Sequence, residues 1–262
     1  MRVPLHGLRV ALAAAALLLH AAAHPAEPLR ILTTGAFKQV VLALVPDHTA
    51  RTGVEVEVAA DTAGALARRI EAGEAFDLVI LTPAALTALA DRGKVERASV
   101  APVARVAIGV AVRAGAPLPA LGTVDEFKAA VLSARKVAVI DPASGGSSGI
   151  YLAELFQRLG LADAMRAKAV LVPGGYAAER VASGEADLAI HQVSEILPVA
   201  GVVLAGTLPA AIQNHTTYAS AVATNGRLAE AAAAFAASLR SDAAASVIRT
   251  KGMEPAWRSP TN

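Results

Sequence analysis

The chain contains no cysteine, so disulfide bridges and a lipid-bearing cysteine after a signal sequence are both excluded. Clusters of basic residues with interleaved aromatics are also missing, and we expect no nucleic-acid partner. Beyond the N-terminus no apolar run reaches the ~20 residues that a membrane-spanning helix needs, so we expect no stable membrane insertion. Neither a His-x-x-x-His motif nor a paired acidic set with metal-ligand spacing occurs. We therefore expect no metal and no cofactor.

The N-terminus has the pattern of a secretory signal peptide. Arg2 and Arg9 supply positive charge, Val10 to Leu19 form a short apolar core, and Ala21-Ala22-Ala23 suit a cleavage site. We predict a signal peptide over residues 1–23, and export without disulfides indicates a bacterial periplasm. The formal net charge of +2 includes the two arginines, so the mature chain is predicted to be nearly neutral.

Strand-like runs alternate with helical patterns in the first third of the mature chain. Residues 29–32, 54–58 and 77–81 read as strands, and an apolar face over residues 37–45 repeats with helical spacing. Asp61-Thr62 suits the cap of a second helix. This order of elements predicts an α/β fold with parallel strands and helices on both faces.

Two short segments with a similar sequence pattern, called here the internal echo, indicate a second structural unit that resembles the first. Residues 73–80 and 184–190 both end a helix at glycine, pass an acidic residue and enter a buried strand opened by aspartate. Residues 104–113 suit a strand that crosses between two lobes, and residues 219–223 suit the return. We predict a ligand cleft between two lobes, each a mixed, mainly parallel sheet flanked by helices. Lobe 1 is predicted over residues 24–105 plus 219–262, and lobe 2 over residues 106–218.

The stretch from Lys136 to Tyr151 carries the clearest sign of a ligand site. An apolar strand enters a Gly/Ser-rich turn, and a helix follows at once. Backbone N–H groups around Gly146, the helix N-terminus and the hydroxyls of Ser144, Ser147 and Ser148 can bind an anion together. The spacings of nucleotide-binding loops and of a serine-hydrolase elbow are both missing. The alternative is an ordinary strand–helix turn with a capping serine.

The order of these segments resembles the periplasmic molybdate-binding proteins of ABC transporters over nearly the whole mature chain. Its most specific matches are residues 66–73 with Asp77-Leu78, and Asp141-Pro142 with residues 149–151. The resemblance implies a type II periplasmic-binding-protein fold with the ligand in the cleft. Such a ligand lies at the carboxyl ends of the strands.

At the ligand-contacting positions the chain departs from the molybdate pattern. A first corner reads Thr34-Gly35-Ala36-Phe37-Lys38 instead of Ala-Ala-Ser-Leu-Thr. A second corner reads Asp61-Thr62-Ala63-Gly64-Ala65 where the family has a run of serines, and His191 followed by Gln192 replaces a tyrosine. Neutral hydroxyls hold a small oxyanion, so their loss disfavours molybdate. Lys38 and His191 suit a carboxylate.

These replacements resemble the branch of the family that contains periplasmic aconitate isomerase. That branch implies an enzyme that interconverts trans- and cis-aconitate by an allylic proton shift. His191 would shuttle the proton, and Lys38 would pair with a carboxylate or return the proton. The predicted substrate-binding residues are Thr34, Gly35, Ala36, Thr62, Ala63, Gly64, Ser144, Gly146, Ser147, Ser148 and Gln192.

Several alternatives stay open at this stage. Lys38 would otherwise be a solvated helix lysine, and His191 a hydrogen-bonded residue that fixes the lobe interface. One of Arg68 and Arg69 could neutralise a ligand, His215 is a weaker candidate base, and His48 is expected in solvent. The alternative function is a substrate-binding protein that delivers molybdate or a small organic acid anion to an ABC permease.

Overall fold

The computed structural model describes residues 27–257. The predicted signal peptide lies outside this part of the chain. From residue 27 to residue 257 the backbone forms a mixed sheet of ten strands with flanking helices, as the alternating patterns predict for an α/β fold. None of the helices in this range is long and apolar enough to cross a membrane.

Strands and helices alternate along most of the described chain. The strands are β1 (Leu29–Thr34), β2 (Val56–Asp61), β3 (Leu78–Leu81), β4 (Ala101–Arg113), β5 (Val137–Ile140), β6 (Ala169–Val172), β7 (Leu188–Gln192), β8 (Val202–Thr207), β9 (His215–Val222) and β10 (Glu254–Pro255). The helices are α1 (Gly35–Thr52), α2 (Ala63–Glu71), α3 (Pro83–Asp91), α4 (Val124–Ser133), α5 (Ser147–Arg158), α6 (Ala162–Lys168), α7 (Glu179–Ala182), α8 (Val193–Ile196), α9 (Ala229–Ser238) and α10 (Asp242–Thr250).

Strand β4 divides the sheet into two strand groups. Its residues 101–107 pair antiparallel with β9, beside which β3, β1 and β2 run parallel to one another. Its residues 108–113 pair antiparallel with β7 and β8, and β7 continues into the parallel strands β5 and β6. We call these the first and the second strand group, and β10 joins the first by pairing with β4.

The crossing strand predicted at residues 104–113 is therefore present as β4, which begins three residues earlier. Strand β9 is longer than the predicted return at residues 219–223, because it begins at His215. It pairs with β3 and with the first half of β4. The chain consequently rejoins the first strand group by His215. The lobe boundaries given above stay a prediction.

The internal echo has a structural counterpart in two buried or half-buried aspartates. The carboxylate of Asp77, just before β3, accepts the backbone N–H of Arg30 in the neighbouring strand β1 at 2.9 Å. The carboxylate of Asp187, just before β7, accepts the backbone N–H of Arg135, two residues before β5, at 2.7 Å. In each strand group the aspartate carboxylate accepts a backbone N–H beside a pair of parallel strands, and this N–H would otherwise lack a partner. This role explains why an aspartate precedes both strands.

The predicted apolar face of α1 packs on the first strand group. Phe37, Val40 and Val41 are fully buried, and Leu44 and Val45 pack partly buried against the same core. This burial fixes the position of the first turn of α1. The first corner, which is the junction of β1 and α1, is thereby held at the carboxyl end of the strands.

Helix α5 packs against β5 at very short range. A Cβ atom on Gly149 would lie 2.3 Å from the carbonyl oxygen of Ile140, so a side chain at this position cannot be accommodated without movement of the backbone. The preceding turn contains Gly145 with a positive φ of 81°, which glycine adopts without strain. The glycines of this turn thus bring the N-terminus of α5 close to the end of β5.

Candidate functional site

A cavity of about 210 Å³ lies where strands of both groups end and helices begin. Its wall includes the last residues of β1, β2, β5 and β7 and the first turns of α1, α2 and α5. This is the position at which open α/β sheets bind ligands. The predicted site residues on the wall are Thr34, Gly35, Ala36, Lys38, Thr62, Ala63, Gly146, Ser147, Ser148, His191 and Gln192.

Two predicted residues, Gly64 and Ser144, are not part of this wall. They connect the second corner to the Gly/Ser turn instead. The hydroxyl of Thr62 donates to the carbonyl oxygen of Ser144 at 2.7 Å, and the N–H of Gly64 donates to the carbonyl oxygen of Gly145 at 3.1 Å. A Cβ on Gly64 would lie 2.7 Å from Gly145 Cα, so this approach requires glycine. The two corners therefore touch across the cleft.

Two long helices direct free backbone N–H groups toward the cavity. Helix α1 begins after Thr34 and helix α5 after Gly146, and neither N-cap residue makes a side-chain capping hydrogen bond. The first N–H groups of a helix have no partner within the helix, and the helix dipole places positive charge there. Helix α2 differs, because the Thr62 hydroxyl accepts the N–H of Ala65. The α1 and α5 N-termini are thus the ones available to an anion.

Three polar side-chain atoms on the wall are buried without a hydrogen-bond partner in the described part of the chain. They are the hydroxyl oxygen of Thr34, Nδ1 of His191 and Nε2 of Gln192. Leaving a buried polar group unsatisfied costs about 1–3 kcal/mol, and native proteins rarely do so. Because all three atoms are buried, a ligand in the cavity would reach them only if these side chains turned toward it.

His191 is buried and paired with a carboxylate. The residue is 1% exposed, and its Nε2 lies 3.0 Å from Oε2 of Glu195, which is 6% exposed. Strand β7 ends one residue after His191 and α8 starts at Val193, so residues 191 and 195 face each other across one turn. A histidine held in this way at a cavity can accept and return a proton.

Sequence reasoning missed several members of the wall. Glu195, Tyr176, Tyr218, Asp61 and Glu179 all line the cavity. The spacing of four residues between His191 and Glu195 was one available signal. The chain contains only three tyrosines, and two of them are here, which was another.

The two tyrosines are held in the protonated state. Burial raises the pKa of Tyr218 far above its usual range, and the charge of Glu195 raises it further, against smaller opposing effects of the polar side chains of Gln192, Ser147 and Thr34. Burial also raises the pKa of Tyr176, whose hydroxyl oxygen accepts a hydrogen bond from Gln39 Nε2 at 2.8 Å. Both hydroxyls can therefore donate to a ligand at neutral pH.

Lys38 is half-buried on the wall, and between residues 27 and 257 its ammonium group makes no hydrogen bond or ion pair. Both candidate arginines already have protein partners. Arg69 binds Glu74 through two nitrogens, at 2.5 and 2.7 Å, and Asp61 at 3.4 Å. Arg68 is exposed and donates to the carbonyl oxygen of Ser144 at 3.3 Å.

The remaining candidate histidines lie away from the cavity wall. His215 is exposed at the start of β9. The expectation that His48 is solvated is wrong, because the residue is 2% exposed and its ring meets Phe235 edge-on at 4.9 Å between ring centroids. Burial lowers the pKa of His48, the nearby Arg51 lowers it further, and Asp47 acts in the opposite direction.

Comparison with known proteins gives matches over most of the chain. Residues 29–254 match the family model described as bacterial extracellular solute-binding protein. The chain is 34% identical over 245 residues to an aconitate isomerase of a Pseudomonas species, covering 91% of this chain and 92% of that protein. The resemblance stated from the sequence is thereby confirmed.

Solved structures of binding proteins share the fold. The periplasmic molybdate-binding protein of Azotobacter vinelandii superposes with a TM-score of 0.73 at 20% identity, covering 89% of this chain and all of that one (100%). A sulfate-binding protein of Mycobacterium tuberculosis gives a TM-score of 0.71 at 18% identity, covering 87% of each chain. These likenesses confirm the predicted fold class, the two-lobed α/β architecture of periplasmic binding proteins.

Proposed function

The chain belongs to the bacterial extracellular solute-binding proteins, and from this membership we propose that it is a periplasmic isomerase that interconverts trans- and cis-aconitate. The similarity to an aconitate isomerase along nearly the full length of both chains supports this function. The signal-peptide pattern of residues 1–23 and the extracellular character of the family support export to the periplasm. The ligand is accordingly a small tricarboxylate.

The observation that carries the proposal is the buried His191–Glu195 pair on the cavity wall. A carrier for a small anion needs hydrogen-bond donors and positive charge. It has no need for a base that a second side chain holds in place. A proton-shift enzyme needs such a base within reach of a carbon–hydrogen bond.

The proposed reaction moves one proton and two electron pairs. His191 takes a proton from the substrate methylene group, and the electron pair of the broken C–H bond forms a new carbon–carbon double bond. The former double bond supplies the pair that binds a proton at the other end of the allylic system. Lys38 or one of the cavity tyrosines donates that proton. The proton left on His191 then passes through solvent to the group that donated, so the product is an isomer of the substrate and both side chains return to their starting states.

The barrier of such a reaction arises from negative charge that grows on the carboxylate next to the methylene group. Donors that are already oriented toward this charge lower the barrier most. The uncapped N-termini of α1 and α5 and the unpaired ammonium of Lys38 are donors of this kind. We propose the cavity-wall residues of the three corners as substrate-binding residues, with Gly64 and Ser144 acting through the contact that joins two of these corners.

The test is turnover of trans-aconitate by the mature protein in D₂O, followed by NMR. The wild type should form cis-aconitate and incorporate deuterium. His191→Asn keeps a hydrogen-bonding side chain but removes the base, so kcat should fall about 10²–10⁴-fold while aconitate affinity changes little. His215→Asn is the matched control, because His215 is exposed and off the cavity wall, and it should retain wild-type activity.

Full activity in His191→Asn would refute the assignment of the base. A wild type that binds aconitate without exchanging its methylene protons would refute the isomerase itself.

The second candidate is a substrate-binding protein that hands molybdate or a small organic acid to an ABC permease. The family description and the two uncapped helix N-termini favour it, because they are what anion binding alone requires. Thermal unfolding distinguishes the ligands, since a ligand that binds the folded state raises its stability by mass action. Stabilisation by micromolar molybdate, with none by aconitate, would favour the carrier.

A further inference from the structure

Tyr176 is joined to the opposite strand group by a side-chain hydrogen bond. It lies on the cavity wall, in the segment that follows β6 of the second strand group. Gln39 belongs to α1, which follows β1 of the first group, and its Nε2 donates to the Tyr176 hydroxyl oxygen at 2.8 Å. Gln39 is not part of the wall, but the adjacent Lys38 is. The bond therefore crosses the cleft beside the cavity.

This bond leaves the hydrogen of the Tyr176 hydroxyl available. An amide nitrogen can only donate, whereas a phenolic hydroxyl can accept through its oxygen and donate its hydrogen at the same time. Gln39 uses the oxygen, and among residues 27–257 the O–H of Tyr176 donates to no acceptor. The side chain is half-buried and lines the cavity. The hydroxyl is thus a fixed donor without an acceptor in the protein.

The hydroxyl keeps its proton at neutral pH. Burial raises the pKa of Tyr176 most, the hydrogen bond from Gln39 acts in the opposite direction, and the nearby carboxylates of Glu195 and Glu179 raise it further. Both of these carboxylates belong to residues of the cavity wall, so the hydroxyl lies close to groups that surround the ligand. An acceptor oxygen on a ligand would give its O–H the partner that the protein does not supply.

We propose that Tyr176 is a specificity-determining residue, which donates its O–H to an anionic oxygen of the ligand while Gln39 holds its oxygen from across the cleft. Hydrogen bonds in a chain polarise one another, so a phenol that donates to an anion becomes a better acceptor. A ligand with an oxygen at this point therefore strengthens the bond that joins the two strand groups, and one without it does not. Gln39 is a positioning residue. The inference rests on the proposed function for the identity of the anion.

The first experiment measures Kd for trans-aconitate by calorimetric titration. Tyr176→Phe keeps the ring and removes the hydroxyl, so Kd should rise about 10- to 100-fold, as for loss of a hydrogen bond to a charged group. Gln39→Met keeps the length of the side chain and removes the donor, so Kd should rise about 2- to 10-fold. The double variant should match Tyr176→Phe alone, because Gln39 acts through the hydroxyl.

The chain offers a matched control for each substitution. The hydroxyl of Tyr151 donates to the carbonyl oxygen of Ile212 at 2.7 Å, and Tyr151 is not part of the cavity wall. Tyr151→Phe should therefore lower the melting temperature and leave Kd unchanged. Gln157 is exposed and also off the wall, so Gln157→Met should leave both unchanged.

The second experiment reads the hydroxyl directly in the wild type. Labelling with ¹³Cζ-tyrosine gives one resonance for each of the three tyrosines, and Tyr176→Phe and Tyr151→Phe assign them. Saturation with trans-aconitate should shift the Tyr176 resonance and leave that of Tyr151 in place. In Gln39→Met the Tyr176 resonance should already differ before the ligand is added.

Wild-type Kd in Tyr176→Phe would overturn the inference, as would equal losses in Tyr176→Phe and Gln39→Met or a Tyr176 resonance that the ligand does not move. Failure of the proposed function looks different. A wild type that binds aconitate without exchanging its methylene protons is no isomerase, and the Kd values and resonances still decide the role of Tyr176. If aconitate does not bind, the same measurements are made with molybdate. A wild type that binds neither anion would overturn the inference as well.

Discussion

Replacing Thr62 by valine tests whether contact between two corners holds the cleft in its binding conformation. The Thr62 hydroxyl donates to the carbonyl oxygen of Ser144 at 2.7 Å and accepts the N–H of Ala65 at 3.2 Å. The first bond joins the two strand groups, and the second caps α2. Valine has nearly the same shape as threonine and can form neither bond.

The structure separates the two expected effects. Loss of an N-cap costs about 0.5–2 kcal/mol, and loss of one neutral hydrogen bond costs about 0.5–1.5 kcal/mol. Together they lower the free energy of unfolding by about 1–3.5 kcal/mol, or the Tm by roughly 2–10 °C for a domain of this size. Only the bond to Ser144 depends on closure of the cleft. Its loss should therefore weaken ligand binding roughly 2- to 10-fold.

The assay is calorimetric titration with trans-aconitate beside thermal unfolding, with two controls. Thr62→Ser keeps the hydroxyl and should bind nearly as tightly as the wild type. Ser241→Ala removes only a cap, because the Ser241 hydroxyl accepts the N–H of Ala244 at 3.1 Å in α10, away from the cavity wall. It should lose stability without losing affinity. Wild-type affinity in Thr62→Val, or an equal loss of affinity in Ser241→Ala, would refute the reasoning.

Two further predictions concern stability. Folding lowers the pKa of His48, so the unfolded chain binds the proton more tightly than the folded chain does. Neutral His48 therefore contributes to the free energy of unfolding above pH ~6.5, and this contribution is lost as the pH falls toward the folded-state pKa. Urea unfolding at pH 7.5 and 5.5 should show a larger loss for the wild type than for His48→Gln, and an equal loss would contradict this. Gly149→Ala should lower the free energy of unfolding by about 1–3 kcal/mol, because its methyl would meet the Ile140 carbonyl at 2.3 Å. Gly122→Ala, which would meet only the flexible end of Glu126 at 3.2 Å, should lower it far less in the same thermal scan.

The regular elements of the fold could be predicted because their signals are local. The apolar face of α1 repeats with helical spacing, and Thr62 and Ser241 cap α2 and α10 through hydrogen bonds to the third residue after them. The turn before the strand that follows Asp77 and the turn before the strand that follows Asp187 have similar sequences. The start of β9 at His215 was harder to predict, because polar residues 213–218 carry no apolar alternation. Pairing with residues 104–107 of β4 makes a strand of residues 215–218.

The site was predictable only where it coincides with backbone turns. Glycine and hydroxyl residues at strand–helix junctions can be recognised in the sequence, and eleven of the thirteen predicted residues lie on the cavity wall. Gly64 and Ser144 belong to the same turns but face each other. Tyr176 and Tyr218 come from separate segments whose convergence depends on how the strand groups close, and no local pattern contains that information. Glu195 follows His191 by four residues, and this local spacing was available in the sequence.

The charge pattern of the cavity also explains how binding and chemistry can share one site. Three carboxylates line the cavity, and of these Asp61 is paired with the guanidinium of Arg69. Glu179 is exposed to water, which screens its charge. Lys38 and the N-terminus of α5 then face the ligand without a carboxylate beside them, whereas the N-terminus of α1 also has Oε1 of Glu195 close to Gly35. Removal of His191 would leave this donor surface in place, so the cavity without its base should still bind the anion and release it unchanged. Under the proposed function, the difference between an isomerase and a carrier on this scaffold is therefore one buried imidazole and the carboxylate beside it.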